Sequence, residues 1–231
     1  DPTRWLPQTV PNSATHTAIF NPGMYNPRLN ISVAIDSVSV GNGVQLDIQA
    51  GQSLGIAGAT FSNNGHMYIN PTSATAGTSI LVSGVPTTTV SGTGRISLNA
   101  SPNLATATLN SGAGTTLVNT AGHTIEGSGR ILATTHNDGV IRANLFEKYL
   151  QISAPVTQSA TGTFLASGGF AGISDGSLTG GIFNCSDGGK GRIDGNGTIN
   201  NVTTTPQCTI EIKPGAVLHL AGGGITNNGF I

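Results

Sequence analysis

The chain has 231 residues, of which 34 are glycine and only 8% are charged, whereas an ordinary globular domain carries roughly 25% charged residues and about 7% glycine. Nine basic residues stand against ten acidic ones, giving a formal net charge of −1, so the chain lacks the basic stripe that nucleic-acid binding needs. No apolar run reaches the ~18 residues of a membrane-spanning helix, and we therefore expect neither nucleic-acid binding nor membrane insertion.

The N-terminal segment, residues 1–30, differs from the rest of the chain. It contains the single tryptophan and five of the eleven prolines. We interpret it as a cap or docking segment in front of a repetitive body that spans residues 31–231. Its apolar anchors would be Trp5, Phe20, Met24 and Tyr25.

Short stretches of alternating apolar and polar residues follow along the body. This period of two is typical of half-buried strands. Examples are Val44, Leu46 and Ile48, then Ile96 and Leu98, and later Ile210 and Ile212 followed by Leu218 and Leu220. Turn-forming pairs separate them and predict positive φ angles at glycine: Gly41-Asn42-Gly43, Asn63-Asn64-Gly65, Asp138-Gly139 and Asn227-Asn228-Gly229. The nearest approach to a helical pattern, residues 144–150, is short, so we expect almost no helix.

Internal repetition decides the fold class. The pentapeptide GTGRI at residues 92–96 recurs as GSGRI at 127–131 and GKGRI at 189–193, with a degenerate copy, GNGTI, at 195–199. Stacked coils impose the same steric demand at successive corners, which explains why glycine and asparagine recur there. The pattern predicts an all-β, single-domain parallel β-solenoid with about nine coils of roughly 20 residues.

Residues 119–144, NTAGHTIEGSGRILATTHNDGVIRAN, resemble the right-handed β-helical repeats of bacterial extracellular proteins. Autotransporter passengers and filamentous-haemagglutinin-like surface proteins carry such repeats. The resemblance implies a right-handed helix, a secreted or cell-surface location, and a structural or adhesive role. Some β-helices of similar outline cleave polysaccharides, a reaction that would require catalytic groups in this chain.

The acidic residues form no dense cluster. The most charged stretch contains Asp187, Lys190, Arg192 and Asp194, which we interpret as a solvated corner. The histidines lack metal-ligand spacing and are dispersed: His16, His66, His123, His136 and His219. We therefore predict no catalytic residue, no metal site and no cofactor, and a chain that is not an enzyme.

Cys185 and Cys208 are the two cysteines, 23 positions apart. This separation is about one coil, so stacking would place them on neighbouring coils. We predict a disulfide between them, which implies an oxidising compartment.

The C-terminal residues GGGITNNGFI repeat the coil signature and end on Phe230 and Ile231. We expect the last coil to be open, with Phe230 and Ile231 as a docking face. The open last coil would be covered either by further parts of a longer surface protein or by the N-terminal segment of another copy stacked head to tail. The favoured function is an extracellular fibre subunit or adhesin-type stalk. The alternatives are a polysaccharide-binding or polysaccharide-cleaving β-helix and a phage tail-fibre segment.

Overall fold

The chain winds into a parallel β-solenoid with three faces, in a computed structural model that describes residues 10–23, 26–101 and 103–231. Strands pair in parallel with the equivalent strands of the neighbouring coils, as Ser37–Val40 does with Thr17–Phe20 and with Thr60–Asn63. The predicted all-β solenoid is confirmed. Within the described residues the one helical element is a single 3₁₀ turn at Leu104–Thr106, and the stretch around residue 146 is a turn between two strands.

Each face is a ladder of strands from successive coils. Face 1 contains β1 Thr17–Phe20, β4 Ser37–Val40, β7 Thr60–Asn63, β10 Thr87–Ser91, β13 Thr116–Asn119, β15 Thr135–Asn137, β18 Pro155–Gln158, β21 Ser177–Thr179 and the first parts of β24 Asn196–Thr204 and β26 Val217–Thr226. Face 2 contains β2 Arg28–Leu29, β5 Gln45–Ile48, β8 His66–Ile69, β11 Arg95–Asn99, the first part of β14 Thr124–Ile131, β16 Val140–Ala143, β19 Thr163–Ser167, β22 Ile182–Ser186 and the second parts of β24 and β26. Face 3 contains β3 Val33–Ile35, β6 Ser53–Ile56, β9 Thr78–Val82, β12 Ala107–Ser111, the second part of β14, β17 Tyr149–Ile152, β20 Phe170–Ile173, β23 Lys190–Ile193 and β25 Ile210–Ile212.

Coil length varies along the solenoid. The first coil is short, since Thr17 pairs with Ser37. Coils become longer further along, where Thr60 pairs with Thr89, and the coil that begins at Leu117 is short again. Face 1 holds ten strand segments, so the described chain makes nine full turns from the first to the last. The strands β1 and β2 are already part of this stack, so the beginning of the first coil lies within the segment predicted as a cap, residues 1–30.

The core is a set of inward-facing columns, because alternate residues of every strand point into the solenoid. Along face 2, one inward column is apolar over seven successive strands before it reaches buried Thr204: Leu46, Met67, Ile96, Ile125, Ile141, Phe164 and Phe183. The rings of Phe164 and Phe183 stack with their centroids 5.1 Å apart. Each such side chain contributes about 1.5–3 kcal/mol on burial, so stacked columns account for the stability of coils that could not fold alone.

At several corners glycine is needed because the backbones of neighbouring coils pack closely there, and not because the glycine adopts a positive φ. Gly43 has the predicted positive φ, +75°. Gly41, Gly65, Gly139 and Gly229 do not. At the last three, a Cβ would lie 2.1–2.3 Å from a backbone carbonyl oxygen of an adjacent coil or corner. The expectation of positive φ at these four glycines is therefore wrong. The steric demand that repeats from corner to corner is the approach of one backbone to the next.

The copies of the recurring pentapeptide do not all lie at the same corner of the solenoid. Arg130 and Arg192, from GSGRI and GKGRI, lie in the same outward column of face 3. Arg95, from GTGRI, lies on face 2, and the degenerate copy leads into face 1. The copies share an inward isoleucine that is fully buried, at positions 96, 131, 193 and 199. The repeat therefore reflects a corner followed by an inward apolar residue, a demand common to all three faces.

A buried row of amides, the amide ladder, stands where the apolar column would otherwise continue on face 1. It consists of Asn119, Asn137 and Gln158 on successive coils. Asn119 donates to Asn137 Oδ1 at 2.7 Å, and Asn137 donates to Gln158 Oε1 at 3.0 Å. Gln158 donates to the carbonyl oxygen of Gly180 at 3.2 Å. Each amide thus satisfies the next, as buried polar groups require.

His123 extends the ladder and is fully buried. Its Nδ1 lies 2.6 Å from Asn119 Oδ1, an acceptor, so Nδ1 carries the proton. Its Nε2 lies 3.0 Å from Asn63 Nδ2 and accepts a hydrogen bond from that amide. Desolvation lowers the pKa of His123 to about 4. The ring is therefore neutral at physiological pH and acts as one more hydrogen-bonding link in the core.

Candidate functional site

A groove of about 460 Å³ lies at the corner between faces 1 and 2. Glycine corners and outward side chains line it: Asn42, Gly43, Val44, Gln45, Asn64, Gly65, His66, Thr93, Gly94, Arg95, Thr124, Glu126 and Arg142. Nearly all these groups are polar, although the strands behind them have fully apolar inward columns. We call this feature the polar groove.

Parallel stacking places the outward side chains of the groove in two columns. One column runs from Gln45 through His66 and Arg95 to Thr124. The other contains, in order, Asp47, Tyr68, Ser97, Glu126 and Arg142. Because adjacent strands are about 4.8 Å apart, functional groups recur along the groove at nearly constant spacing. The ring of Tyr68 stacks on that of His66, with centroids 5.0 Å apart.

Glu126 is the hub of a hydrogen-bonded network in the groove. Ser97 donates to Glu126 Oε1 at 3.0 Å, and Asn144 donates to Oε2 at 3.1 Å. Arg95 Nε lies 3.4 Å from Oε1, and Arg142 forms an ion pair with Oε2. The carboxylate is 8% exposed, while the two arginine side chains are 53% and 38% exposed. The negative charge is therefore buried beneath positive groups that face the solvent.

His66 connects the two columns. Arg95 Nη2 lies 3.5 Å from His66 Nδ1, so Nδ1 is the acceptor. Nε2 then carries the hydrogen and donates to Ser97 Oγ at 2.8 Å. Burial lowers the pKa of His66 and Arg95 lowers it further, while Glu126 and Asp47 oppose these effects. Since His66 donates to the Ser97 hydroxyl, it is not oriented as a base that would activate Ser97 as a nucleophile.

The spacing of the groove carboxylates bears on hydrolysis. Asp47 and Glu126 lie three coils apart in one column, a separation of about 14 Å at the usual strand spacing. Glycoside hydrolysis uses two carboxyl groups roughly 5–9.5 Å apart. The groove thus offers recognition groups, with guanidinium, amide and hydroxyl donors, but no carboxylate pair at catalytic spacing between these two residues.

In the charged stretch near residue 190, Lys190 and Arg192 contact side chains of neighbouring coils. Lys190 Nζ and Arg192 Nη2 lie 2.7 and 3.3 Å from the carboxylate of Glu211 on the next coil. The Arg192 guanidinium also lies over the rings of Tyr149 and Phe170, at 4.9 and 4.3 Å. Asp187 and Asp194 do not join this ion pair. Exposed Asp187 accepts hydrogen bonds from Ser167 and Ser186, and burial raises the pKa of Asp194.

The last coil exposes core positions. Leu220 pairs with the fully buried Ile199, so it occupies an inward position, yet it is 58% exposed. Ile212 pairs with buried Ile193 and is 45% exposed. Phe230 bridges to Thr209 and, with Ile231, is also exposed. We call these residues, 212–231, the terminal coil; within the described chain no strand covers its outer edge.

The other predicted docking residues are placed differently. Phe20 is buried at 7% exposure in the first coil, where it lines an apolar cavity of about 70 Å³ with Val10 and Pro11. Trp5, Met24 and Tyr25 lie outside the described residues. The structure thus brings Phe230 and Ile231 together at one end and leaves Phe20 within the core at the other.

The predicted disulfide between Cys185 and Cys208 is present, with Cα atoms 4.8 Å apart. Cys185 belongs to β22, and Cys208 precedes β25 in the following coil. Cys208 is fully buried, so the bond fastens the last coils to the solenoid through its interior. Disulfides of this structural kind are typical of oxidising compartments outside the cytosol. Among the described residues, no helix is long and apolar enough to cross a bilayer.

Replacing both cysteines with alanine is expected to destabilise the last coils. The two cysteines are 23 positions apart, and loop-closure entropy for a loop of that size predicts a loss of about 3 kcal/mol. Hydrogen exchange followed by mass spectrometry should show faster exchange for residues 182–231, with the coils before residue 150 unchanged. Reducing the wild-type chain should reproduce the pattern, and unchanged exchange near residue 210 would contradict this assignment.

Comparison of the chain with protein-family models, with curated proteins and with solved structures finds no match. The functional assignment therefore depends on the groove, the disulfide and the terminal coil.

Sequence reasoning did not predict the polar groove. Asp47 stands out as an outward charge in the alternating pattern, but its column partner Tyr68 follows after 21 residues, whereas Ser97 and Glu126 follow at steps of 29 residues. No single period relates all four positions, and the steps of 29 are longer than the expected coil of roughly 20 residues. The sequence does contain a signal: β8, β11 and β14 each carry an aromatic or charged side chain at an outward position, namely Tyr68, Arg95 and Glu126, whereas β4, β7 and β10 on face 1 carry only Ser and Thr there.

Proposed function

We propose that this chain is an extracellular structural protein, a fibre subunit or surface stalk, that assembles by head-to-tail stacking of solenoid ends. The observation that carries the proposal is the exposure of inward positions in the terminal coil, above all Leu220, Ile231 and Ile212. Exposed core positions beside free strand edges invite β-strand addition. The occupant that we favour is the first coil of a second copy.

The dimensions of the two ends support this choice. The first coil carries the chain from Thr17 to its partner Ser37, and the last carries it from Thr198 to His219. These two coils are nearly equal in length, whereas the longest coils lie in the middle of the solenoid, on either side of β10. Coils of similar length have similar cross-sections, so their three faces can continue from one copy into the next. Contacts of this heterologous kind extend into filaments when they do not close into a ring.

The disulfide and the carboxylate spacing support the remaining parts of the proposal. A bond that fastens the terminal coil would keep the docking edge ordered, and it fits secretion into an oxidising environment. The separation of Asp47 and Glu126 favours a non-enzymatic role. A longer surface protein could cover the same coil, and a trimeric tail fibre would instead associate side by side.

Negative-stain electron microscopy of the purified 231-residue chain over a concentration series tests the proposal. We expect filaments one solenoid wide above a threshold concentration. Leu220→Lys should abolish them, because it places a charge at the stacking interface. Phe146→Lys is the matched control, since Phe146 is 77% exposed but lies on a lateral turn.

Three results would overturn head-to-tail assembly. Monomeric rods at high concentration would indicate that the terminal coil does not bind a second copy of the chain. Filaments that persist with Leu220→Lys would place the contact elsewhere. A discrete trimer in analytical ultracentrifugation would favour the tail-fibre alternative.

A further inference from the structure

The polar groove carries an inference that does not depend on end-to-end assembly. Its outer surface is cationic, because Glu126 is 8% exposed beneath Arg95 and Arg142, which are 53% and 38% exposed. The same arrangement recurs nearby, where Asp47 is 10% exposed and Arg28 is 72% exposed. A ligand that enters the groove therefore meets guanidinium groups and not the carboxylates that hold them.

The guanidinium groups retain donors for a ligand. Arg95 directs Nε toward Glu126 and Nη2 toward His66, and a guanidinium has five N–H donors in a planar fork. Such a fork binds a carboxylate with two parallel hydrogen bonds. Glu126 and His66 fix the orientation of Arg95, so part of the entropy cost of binding is already met by the folded protein.

The remaining lining suits hydroxyl groups. Asn42, Asn64, Thr93 and Thr124 supply amides and hydroxyls, which both donate and accept hydrogen bonds. The glycine corners of the lining leave the backbone unshielded by side chains. Val44 is the one large apolar residue of the lining, and it is almost completely buried. The groove thus lacks the apolar pockets that peptide side chains need.

The length and openness of the groove fit a chain ligand. Its outward columns extend across successive coils with a step of about 4.8 Å, which is close to the length of one pyranose ring. The strands below it are already paired on both sides, so no strand edge is available for peptide addition. The stacked rings of His66, in the lining, and Tyr68, beside it, are half-buried, and their solvent-facing parts offer a surface on which a sugar can stack.

We propose that the polar groove is a binding site for an anionic oligosaccharide, a uronic-acid chain whose carboxylates contact Arg95 and Arg142 and whose hydroxyls contact the amides and hydroxyls of the corners. Binding is reversible and involves no covalent step. Arg95 is the main carboxylate contact, because it is the more exposed of the two arginines that surround Glu126.

Isothermal titration calorimetry with a hexamer of galacturonic acid tests the proposal, with the uncharged maltohexaose as the neutral probe. We expect the full chain to bind the acidic hexamer at least tenfold more tightly than the neutral one. Arg95→Gln should weaken binding of the acidic hexamer about tenfold or more, which corresponds to loss of one charged contact. Lys148→Gln makes the same change of charge on an exposed turn away from the groove and should leave the affinity unchanged.

Thermal melts of both variants verify that they are folded, and Arg142→Gln provides a second variant if Arg95→Gln is destabilised. No binding of either hexamer would overturn the site. Equal affinity for the neutral hexamer would overturn the role of the sugar carboxylates. If Lys148→Gln weakened binding as much as Arg95→Gln does, general charge attraction would explain the binding and the specific contact with Arg95 would be overturned. Binding of hexaglutamate as tight as that of the sugar, with the same loss in Arg95→Gln, would assign the groove to an acidic peptide.

Discussion

Replacing Gly139 with alanine is expected to lower the melting temperature of the chain by about 10 °C. The added Cβ would lie 2.3 Å from the carbonyl oxygen of His123, 2.6 Å from that of Thr120 and 2.9 Å from the Asn119 amide nitrogen. Two of these atoms are backbone, and they cannot move away without separating two coils. Overpacking typically costs about 1–3 kcal/mol, and contact with two backbone oxygens places this change at the upper end, about 3 kcal/mol. Each kcal/mol shifts the melting temperature of a domain this size by about 2–4 °C.

Gly77 provides the matched control. It has no positive φ, and its added Cβ would meet only the carbonyl oxygen of Ala105, at 3.7 Å. Gly77→Ala should therefore melt within about 2 °C of the wild type, or slightly above it, because alanine restricts the unfolded chain. Circular dichroism melts of both variants make the comparison. Equal melting temperatures would show that the corner relaxes freely and that close stacking does not explain glycine at position 139.

The coiled architecture was predictable because its signals are local. Alternation in stretches such as Val44 to Ile48 identifies an inward and an outward side without knowledge of the partner strand. The disulfide was predictable for a related reason. Cys185 and Cys208 are separated by about one coil, and the coils at that end are regular in length. Where coil length is regular, two residues about one coil apart in sequence lie next to each other on neighbouring coils.

The polar groove and the amide ladder were not predictable because the coils that carry them are irregular. Val90 pairs with Asn119 across a long coil, but Asn119 pairs with Asn137 across a much shorter one. A column can be read from sequence only where coil length is constant. The ladder also contradicts the local rule that inward positions are apolar, since a buried amide is stable only when its neighbours satisfy it. Those neighbours are supplied by other coils.

The stability of the chain is expected to fall between pH 6.5 and pH 4 because of His123. Desolvation lowers the pKa of His123 from 6.5 to about 4 in the folded chain, while the unfolded chain keeps the ordinary value. Above pH 6.5 both states are neutral at this residue, and it contributes no pH dependence. As the pH falls below 6.5 the unfolded state binds a proton that the folded state does not, so the free energy of unfolding decreases, by about 3 kcal/mol in total at pH 4.

The physical reason for this loss lies in the ladder. Protonated His123 would have N–H donors on both nitrogens, but Nε2 faces the donor Nδ2 of Asn63 at 3.0 Å. The two donors would oppose each other at a site that excludes water, with no carboxylate among the hydrogen-bonding partners of the ring. His66, whose pKa is also lowered, adds to the loss in the same direction. His219 is exposed and lies outside the amide ladder, so a substitution at this position serves as the control.

Urea unfolding at intervals between pH 7.5 and pH 4 measures the effect. The His123→Gln variant should be less stable than the wild type at pH 7.5, because Gln cannot reach both Asn119 and Asn63 in the same geometry, but its stability should change much less between pH 6.5 and pH 4. His219→Gln should retain the full wild-type dependence, and His66→Gln should remove a smaller share. A wild-type slope that survives in His123→Gln would assign the acid sensitivity to other groups and would mean that His123 takes up its proton in the folded state as readily as in the unfolded one.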